Sequence, residues 1–323
     1  MASRGLTGVK QLWKHVPRVV RDGVHAALDS TGVPYVLNYL AEYGPTHQLG
    51  NFAGNLVALN CTYATASADQ REKLARQFKG ILYGLVMRNG VRRSTHPMRQ
   101  NRILTQVLSD PRCQLLTDAI KVLEVPCSTG VAALDNVATL GQHYRIRTYV
   151  LGDLFFNLHY DTERECIFDE EFNLLQIKLK DRFFSIYRPE QSGWRYSYLS
   201  AALLLPFELM SRYLRKRYVY TERSPTVPIL LLHPDVQAAV AGGEFAVRKM
   251  DVFQQIGDQY DVILCFNLLM QSYFSDDQIT KGVQNLGSAL SEQGLLIMGN
   301  QASFSVTRKV EGKLVLVSQQ GRF

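Results

Sequence analysis

Residues 121–130, with the sequence KVLEVPCSTG, constrain the fold more than any other stretch of the chain. Residues 121–125 have the β-branched and aliphatic character of a buried strand. Residues 128–130 are the small, capping residues that open a helix, and an apolar-periodic run follows from 131 to 140. The stretch therefore predicts a strand, a tight turn and a helix in direct succession.

A turn of this kind directs backbone N–H groups toward a ligand. Glu124, at the end of the predicted strand, is placed to accept hydrogen bonds or to hold a cation, and it faces the crevice in which open α/β sheets bind ligands. The stretch thus predicts a nucleotide-type pocket. The alternative is a small-residue turn that binds nothing, as many α/β proteins have.

Composition bounds the remaining choices. The 323 residues, 46% of them hydrophobic, suffice for two domains or for one domain with a sizeable insertion. The net charge of +7 is spread along the chain, so we predict no nucleic-acid partner. Five cysteines without C-x-x-C spacing argue against a disulfide framework and favour a reducing compartment. No apolar segment follows residues 1–10, so we expect no cleaved signal and a cytoplasmic location.

Residues 1–110 are predicted to form a helical N-terminal region. Apolar residues recur at helical spacing from residue 8 to about residue 89, and residues 98–108 continue the pattern. We interpret this region as a packing cap or as a bundle that forms a homodimer, with no chemistry of its own.

A second strand is predicted over residues 144–153, and it ends in a carboxylate. Asp153 follows Gly130 by about twenty residues, the spacing at which a βαβ nucleotide fold places an acid on ribose hydroxyls. The alternative is a solvated aspartate at the end of a strand.

Residues 155–226 interrupt this pattern and are predicted to be a β/α insertion. Residues 165–187 alternate and are rich in Phe and Ile, which is typical of a β-hairpin. Residues 196–220 are apolar with a basic end, but they are too short and too interrupted to span a bilayer. Two interpretations stay open: a helix that covers the active site or the core, and a helix in peripheral contact with a membrane or a lipid-like substrate.

Strands and helices alternate again from residue 228. Residues 228–232 are predicted to resume the sheet, and residues 244–253 form a strand that carries a second candidate acid, Asp251. A buried strand over residues 260–266 places Asn267 at the crevice.

The C-terminal part is predicted to contain a helix with Ser275 as its N-cap, a strand at 295–298 and two strands around the Glu311-Gly312 turn. For residues 111–323 this order predicts an α/β, Rossmann-like doubly wound sheet with an antiparallel C-terminal hairpin.

From residue 121 onward, the order of elements resembles class I S-adenosylmethionine-dependent methyltransferases. Residues 124–130 stand where that family has an acid followed by a glycine-rich turn, and residues 293–296 resemble the lead-in to its fifth strand. The resemblance implies S-adenosyl-L-methionine as the cofactor. The residues to which it assigns cofactor binding are Glu124, Cys127, Ser128, Gly130, Asp153, Asp251, Val252 and Asn267.

The resemblance also implies a role for individual residues. Glu124 would orient the amino end of the methyl donor, and Asp153 would hold the ribose hydroxyls. Asp251 would border the adenine together with its neighbour Val252. Asn267 and Tyr273 would face the methyl group as the catalytic pair, and each has the alternative role of an ordinary packing residue.

Within this class, the chain is most similar to CheR-type chemoreceptor methyltransferases. The shared features are a helical N-terminal region, the Cys-Ser-Thr-Gly turn, a β insertion after the second strand and the segment Cys265-Phe266-Asn267 followed by Tyr273-Phe274. The chain departs from that type because Phe266 replaces an arginine, and because Pro126 and Ser128 stand where glycines are expected. These departures argue against a receptor glutamate as the methyl acceptor.

The many Phe, Tyr and Leu residues of 155–226 instead predict an unidentified apolar or amphipathic small molecule, or a lipid-like acceptor. The missing glycines also motivate a second hypothesis, a catalytically degenerate methyltransferase fold that acts as a binding or membrane-associated protein. A nicotinamide dehydrogenase is disfavoured because the turn lacks G-x-G-x-x-G. The histidines are isolated from the cysteines, so we predict no metal site.

Overall fold

The computed structural model describes residues 49–88, 97–98, 100–180, 182–187, 198–271, 273–300 and 303–321, with the side chains of 198–204 left out. The predicted helices before residue 49 lie outside these residues. The strands are β1 (Ala119–Glu124), β2 (Arg145–Asp153), β3 (Asn157–Asp161), β4 (Cys166–Phe168), β5 (Leu174–Leu179), β6 (Arg182–Ser185), β7 (Thr226–Leu230), β8 (Ala246–Lys249), β9 (Tyr260–Phe266), β10 (Leu290–Gly299), β11 (Phe304–Val310) and β12 (Lys313–Gln320). The helices are α1 (Asn55–Thr65), α2 (Ala68–Tyr83), α3 (Asn101–Ser109), α4 (Val131–Leu140), α5 (Tyr198–Arg217), α6 (Pro234–Ala241) and α7 (Asp276–Ser288).

Seven strands form the main sheet, in the order β12-β11-β10-β9-β1-β2-β8. The five strands from β10 to β8 are parallel, and β11 runs antiparallel to both β10 and β12. From β1, the chain first adds β2 and β8 on one side of the sheet. It then crosses back and adds β9 and β10 on the other side of β1, so the strand order reverses between β1 and β9. The predicted doubly wound α/β sheet with an antiparallel C-terminal hairpin is therefore confirmed.

The central strands are buried on both faces, as strands covered by helices require. Ile120 and Val122 of β1 belong to the apolar cluster on the face of α4 and α6, whereas Leu123 belongs to the cluster on the face of α7. α7 begins at the predicted N-cap, because Ser275 forms a capping box with Gln278.

A second sheet, in the order β6-β5-β4-β3-β7, is antiparallel throughout. Its apolar faces pack against α1 and α2 on one side and α5 on the other. The predicted hairpin within 165–187 corresponds to β4, β5 and β6. The N-terminal helices α1 and α2 thus pack on the insertion, and homodimer formation through them stays a prediction.

The prediction that residues 228–232 resume the main sheet is wrong, because β7 pairs with β3 in the second sheet. The backbone N–H of Leu231 continues this pairing by donating to the carbonyl of Phe156, at 2.8 Å. The chain returns to the main sheet only at β8, which is shorter than the predicted strand and leaves Asp251 in the following loop. The apolar sequence of residues 228–232 correctly indicated a strand, but it does not specify which strand pairs with it.

The turn between β1 and α4 depends on Gly130, which is the N-cap of α4 and has φ +72°. Gly130 has no side chain that could cap the helix, but the Oγ1 of Thr129 accepts a hydrogen bond from the backbone N–H of Val131, the first helical residue, at 3.5 Å. A Cβ atom at Gly130 would lie 2.8 Å from Cγ1 of Val236 on α6. The glycine therefore provides both the left-handed conformation and the close approach of α6. No helix in the described part of the chain is long and apolar enough to cross a membrane.

A pair of glycine substitutions separates these two requirements. Gly243 has φ +79° but open space around it, so Gly243→Ala is expected to lower the free energy of unfolding by about 1 kcal/mol through backbone strain alone. Gly130→Ala adds the clash with Val236 and is expected to cost about 2–3 kcal/mol. Urea denaturation measures both values. Equal costs for the two variants would contradict the role assigned to the α6 contact.

Candidate functional site

The predicted site residues lie at the carboxyl edge of the parallel strands. Glu124 ends β1, Asp153 ends β2, Asp251 follows β8 and Asn267 follows β9. Because these four strands are neighbours and run parallel, their ends form one edge of the main sheet. The reversal of strand order between β1 and β9 opens a crevice there, the usual ligand site of doubly wound sheets.

Asp153 is joined directly to the turn that follows β1. Its Oδ2 accepts a hydrogen bond from the backbone N–H of Ser128 at 2.8 Å, and its Oδ1 accepts one from the N–H of Phe155 at 3.4 Å. The side chain of Asp153 is mostly buried. The carboxylate therefore holds the turn and the end of β2 together as one unit.

Ser128 adopts the backbone conformation that a glycine would favour, with φ +55°. The turn thus keeps a left-handed residue at this position even though the glycine is absent. Holding a non-glycine residue there costs on the order of 1 kcal/mol, and the hydrogen bond from its N–H to Asp153 offsets part of that cost.

Cys127 is part of the packing beneath the turn. Its backbone N–H donates to the carbonyl of Gly152 at 2.9 Å, and its side chain is buried within the apolar cluster on the α4 face. Burial of a thiol at this point supports the turn sterically, and contact of Cys127 with a cofactor stays a prediction.

Glu124 lies in a buried polar cluster under α4. Alternation along β1 places Glu124 on the same face as Val122, toward α4. Its Oε2 accepts hydrogen bonds from the hydroxyl of Tyr149 at 2.6 Å and from Nδ2 of Asn136 at 3.0 Å. Asn136 also donates to Oε1 of Gln100 at 2.7 Å. The expectation that the side chain of Glu124 faces the crevice is wrong, because α4 and its polar partners bury it. Its predicted contact with the amino end of a methyl donor stays a prediction.

Burial dominates the electrostatics of this cluster. Glu124 is 1% exposed, and its Oε1 has no hydrogen-bond partner among the described residues. Desolvation raises the pKa of Glu124 to about 7, although the hydrogen bonds from Tyr149 and Asn136 act in the opposite direction. No local sequence motif signals this cluster, because its members come from separate elements.

The loop after β8 contains both polar and apolar residues of the predicted site. Oδ1 of Asp251 accepts from the backbone N–H of Phe253 at 2.9 Å, and the side chain of Val252 is buried. The carbonyl of Val252 accepts from Nδ2 of Asn285 on α7 at 3.0 Å. The rings of Phe253 and Phe274 meet edge to face, with centroids 4.9 Å apart. The loop is therefore fixed from two sides.

Asn267 stands where β9 leaves the sheet. It has φ +57°, and its backbone N–H donates to the carbonyl of Gly299 at the end of β10, at 2.8 Å. Tyr273 lies further along the same loop and is 38% exposed. Both residues belong to the loop between β9 and α7, but their predicted contact with a methyl group is untested.

The insertion begins at this edge of the sheet. Oε1 of Glu170, in the turn between β4 and β5, accepts from the N–H groups of Phe156 and Asn157, and its Oε2 pairs with Nζ of Lys249 at the end of β8, at 2.6 Å. The N–H of His233 donates to the carbonyl of Thr129 in the β1–α4 turn. The predicted proximity of the insertion to the crevice thus agrees with the observed contacts.

The N-terminal helices reach the same region through His233. The imidazole packs edge to face against the rings of Tyr63 on α1 and Phe78 on α2. The hydroxyl of Tyr63 also donates to Oδ2 of Asp235 at 2.8 Å. The sequence itself predicts no role for the histidines. The packing of His233 between α1 and α2 is signalled by no local motif.

A cavity of about 680 Å³ opens beside the carboxyl ends of β9 and β10. Apolar side chains of the β9–α7 loop, α7 and β10 line it together with polar groups. The lining includes Leu269, Met298, Thr280, Gln271 and Asn300.

Comparisons with solved structures find methyltransferases at low similarity. An O-methyltransferase family protein from Burkholderia thailandensis is 8% identical, over 70% of this chain and 41% of that chain, with a TM-score of 0.29. The N-methyltransferase NodS from Bradyrhizobium japonicum, in complex with S-adenosyl-L-homocysteine, is 14% identical over 62% of each chain, with a TM-score of 0.27. The rRNA methyltransferase aviRa from Streptomyces viridochromogenes is 15% identical, over 61% of this chain and 72% of that chain, with a TM-score of 0.28.

The chain thus spans less than two thirds of the length of the first two of these proteins. TM-scores below 0.3 carry no argument about activity. No family model and no curated protein matches the chain. The resemblance to CheR-type methyltransferases stays a prediction, and the case for the site rests on its geometry.

The raised pKa of Glu124 predicts a pH-dependent stability. An unfolded glutamate titrates at about 4.3, so this group contributes stability that is fully present below that pH and is lost as the pH rises through about 7. Relative to Glu124→Gln, which does not titrate, the wild-type free energy of unfolding is expected to fall by on the order of 3 kcal/mol between about pH 4 and about pH 8.

Urea denaturation across this pH range measures the difference. The matched control is Glu163→Gln, which alters an exposed carboxylate and should show a small, nearly pH-independent difference from wild type. A flat difference for Glu124→Gln would show that the carboxylate is not desolvated.

Proposed function

We propose that this protein is an S-adenosylmethionine-dependent methyltransferase whose acceptor is an apolar or amphipathic small molecule or a lipid-like compound. The observation that carries the proposal is the Asp153 carboxylate, whose Oδ2 lies 2.8 Å from the backbone N of Ser128 in the turn after β1, a strand next to the reversal of strand order. An acid at the end of the second strand, locked to the turn after the first, is suited to ribose hydroxyls next to that turn.

The residues around the crevice fit this cofactor in their chemistry. Asp153 and Asp251 are hydrogen-bond acceptors, as sugar hydroxyls and an adenine amino group require. The buried Val252 and the adjacent ring of Phe253 offer apolar surface to a base. The carboxylate of Glu124 has an oxygen without a partner among the described residues, which suits a cationic amino group, although α4 covers it.

When bound, the cofactor supplies an activated methyl group for an in-line displacement. The chain's contribution is to align the acceptor and to exclude water, because this displacement needs little covalent help. In this proposal, Asp153 holds the ribose and Gly130 permits close backbone approach. Asn267 and Tyr273 face the acceptor, and a general base is needed only if the acceptor atom carries a proton.

The cavity beside β9 and β10 supports an amphipathic acceptor. Leu269 and Met298 offer it apolar contact, whereas Gln271, Thr280 and Asn300 offer it polar groups. Because the cavity is lined by the loop that carries Asn267 and Tyr273, an acceptor bound there would reach the carboxyl edge of β9. On the side of β2 and β8, the ring of Phe155, two residues after Asp153, lies 5.9 Å from Nζ of Lys249.

Binding of the cofactor tests the proposal directly. Isothermal titration calorimetry with S-adenosylmethionine is expected to detect binding to the wild type and at least tenfold weaker binding to Asp153→Asn, because a charged acceptor is worth about 1.5–3 kcal/mol. The matched control is Asp277→Asn, an exposed carboxylate in the first turn of α7, which should bind as the wild type does.

Absence of binding to the folded wild type would refute both the cofactor and the reaction. Binding without transfer of a labelled methyl group to any of a panel of phenols, amines and fatty acids would favour the alternative, a degenerate methyltransferase fold that acts as a binding protein. Equal affinity of Asp153→Asn and the wild type would remove Asp153 from the site.

A cavity-filling variant tests the acceptor site. Thr280 is exposed at the cavity wall, so Thr280→Trp should preserve folding while it occupies the cavity. The rate of methyl transfer to acceptors in the panel is expected to fall at least tenfold, because a change of pocket shape alone changes substrate selection by about that factor. The affinity for S-adenosylmethionine should be unchanged. Lys281→Trp, one residue further along α7 and outside the lining, is the control. Unchanged transfer by Thr280→Trp would exclude the cavity.

A further inference from the structure

Helix α5 presents two different faces. Phe207, Ser211 and Leu214 are buried against the second sheet, where the ring of Phe207 lies 4.9 Å from that of Phe184. Their spacing of four and three residues defines the inner face of the helix. The helix is therefore anchored to the insertion along one side and leaves the opposite side to solvent.

The outer face is apolar in its described N-terminal half. Leu205, Leu209 and Tyr213 follow one another at intervals of four residues and are 55%, 55% and 53% exposed, and Met210 beside them is 47% exposed. Large apolar side chains at this spacing form a continuous stripe on one side of a helix. Such an exposed stripe marks an interaction surface more often than does a single exposed leucine.

The same face is basic in its C-terminal half. Arg212 and Lys216 lie seven residues after Leu205 and Leu209, which places them in line with the apolar stripe. Over residues 205–217, four basic residues stand against one acidic residue, Glu208. We name the outer surface formed by Leu205, Leu209, Arg212, Tyr213 and Lys216 the α5 face.

We propose that the α5 face binds a membrane surface that contains anionic lipids. The two leucines and Tyr213 would enter the boundary between headgroups and acyl chains, while Arg212 and Lys216 contact lipid phosphates. Long basic side chains can extend toward phosphate while their methylene stems cover apolar surface. This combination of an apolar stripe and adjacent cations is the pattern by which interfacial helices bind membranes in the plane of the bilayer.

Charge argues for lipid over a second copy of the chain. In a symmetric dimer through the α5 face, a parallel arrangement of the two helices would oppose cation to cation. An antiparallel arrangement would place Arg212 and Lys216 against the partner's leucines, with Glu208 as the single acidic residue of the stretch for these two cations, which is costly. An anionic surface satisfies the apolar and the basic halves together.

Flotation of the full-length chain with vesicles tests this proposal. Vesicles of phosphatidylcholine with about 30% phosphatidylglycerol should bind the protein at about 0.05 M salt, and binding should decrease at about 0.5 M salt. Vesicles of phosphatidylcholine alone should bind it weakly. The double variant Arg212→Gln/Lys216→Gln is expected to lower the partition coefficient about 25-fold, from about fivefold for each cation. The double variant Leu205→Ser/Leu209→Ser is expected to lower it at least tenfold.

Matched substitutions elsewhere distinguish the α5 face from general charge. Val315→Ser/Leu316→Ser changes two similarly exposed apolar residues on β12, and Arg145→Gln/Lys313→Gln removes two exposed cations far from α5 in the sequence. Neither control should change vesicle binding by more than about twofold. Since all substituted side chains are exposed, thermal unfolding should confirm that each variant is folded.

Three outcomes would overturn the proposal. The first is no binding of the wild type to the anionic vesicles at low salt. The second is an equal loss in the control variants, which would assign binding to the net charge. The third is that light scattering shows the wild type to be a dimer and Leu205→Ser/Leu209→Ser to be a monomer, while both bind vesicles equally. That result would assign the α5 face to contact with a second copy of the chain.

Discussion

The contact between the carboxylate of Asp153 and the backbone N–H of Ser128 determines how the rest of the site is arranged. It exists because β1 and β2 are adjacent and parallel, in a register that brings the end of β2 beside the turn after β1. This one interaction fixes the turn, positions an acid at its side and holds Ser128 in a conformation that the side chain alone would disfavour. The turn therefore keeps a left-handed residue at position 128 although no glycine stands there.

The two carboxylates at the ends of β1 and β2 have different environments. Asp153 belongs to the crevice edge and bonds backbone N–H groups, whereas Glu124 is sealed with Tyr149 and Asn136 beneath α4. Burial makes Glu124 the more costly residue, since its charged form lacks a full set of hydrogen bonds. In the proposed function, a cationic ligand group near this oxygen would relieve that cost.

Much of the fold was predictable, because it depends on local pattern. The strand, turn and helix around residues 121–140, the β2 strand that ends at Asp153, the N-cap at Ser275 and the C-terminal hairpin all follow from periodicity and capping. The partner of β7 was not predictable, since alternation does not specify which sheet a strand joins. The same limit applies to the Glu124 cluster and to the packing of His233 on α1 and α2, in which residues distant in sequence meet only in the folded chain.

The insertion connects the proposed chemistry with the proposed surface. Its second sheet starts with β3, four residues after Asp153, and carries α5 on one face and the N-terminal helices on the other. The cavity proposed for an amphipathic acceptor lies beside β9 and β10, whereas the proposed lipid-binding face lies on α5 within the insertion.

A crystal structure of the protein with S-adenosyl-L-homocysteine tests the central claim most directly. The account predicts the ligand in the crevice between the ends of β1 and β9, with its ribose hydroxyls within hydrogen-bond distance of the Asp153 carboxylate. A ligand bound elsewhere, or a ribose without contact to Asp153, would contradict it.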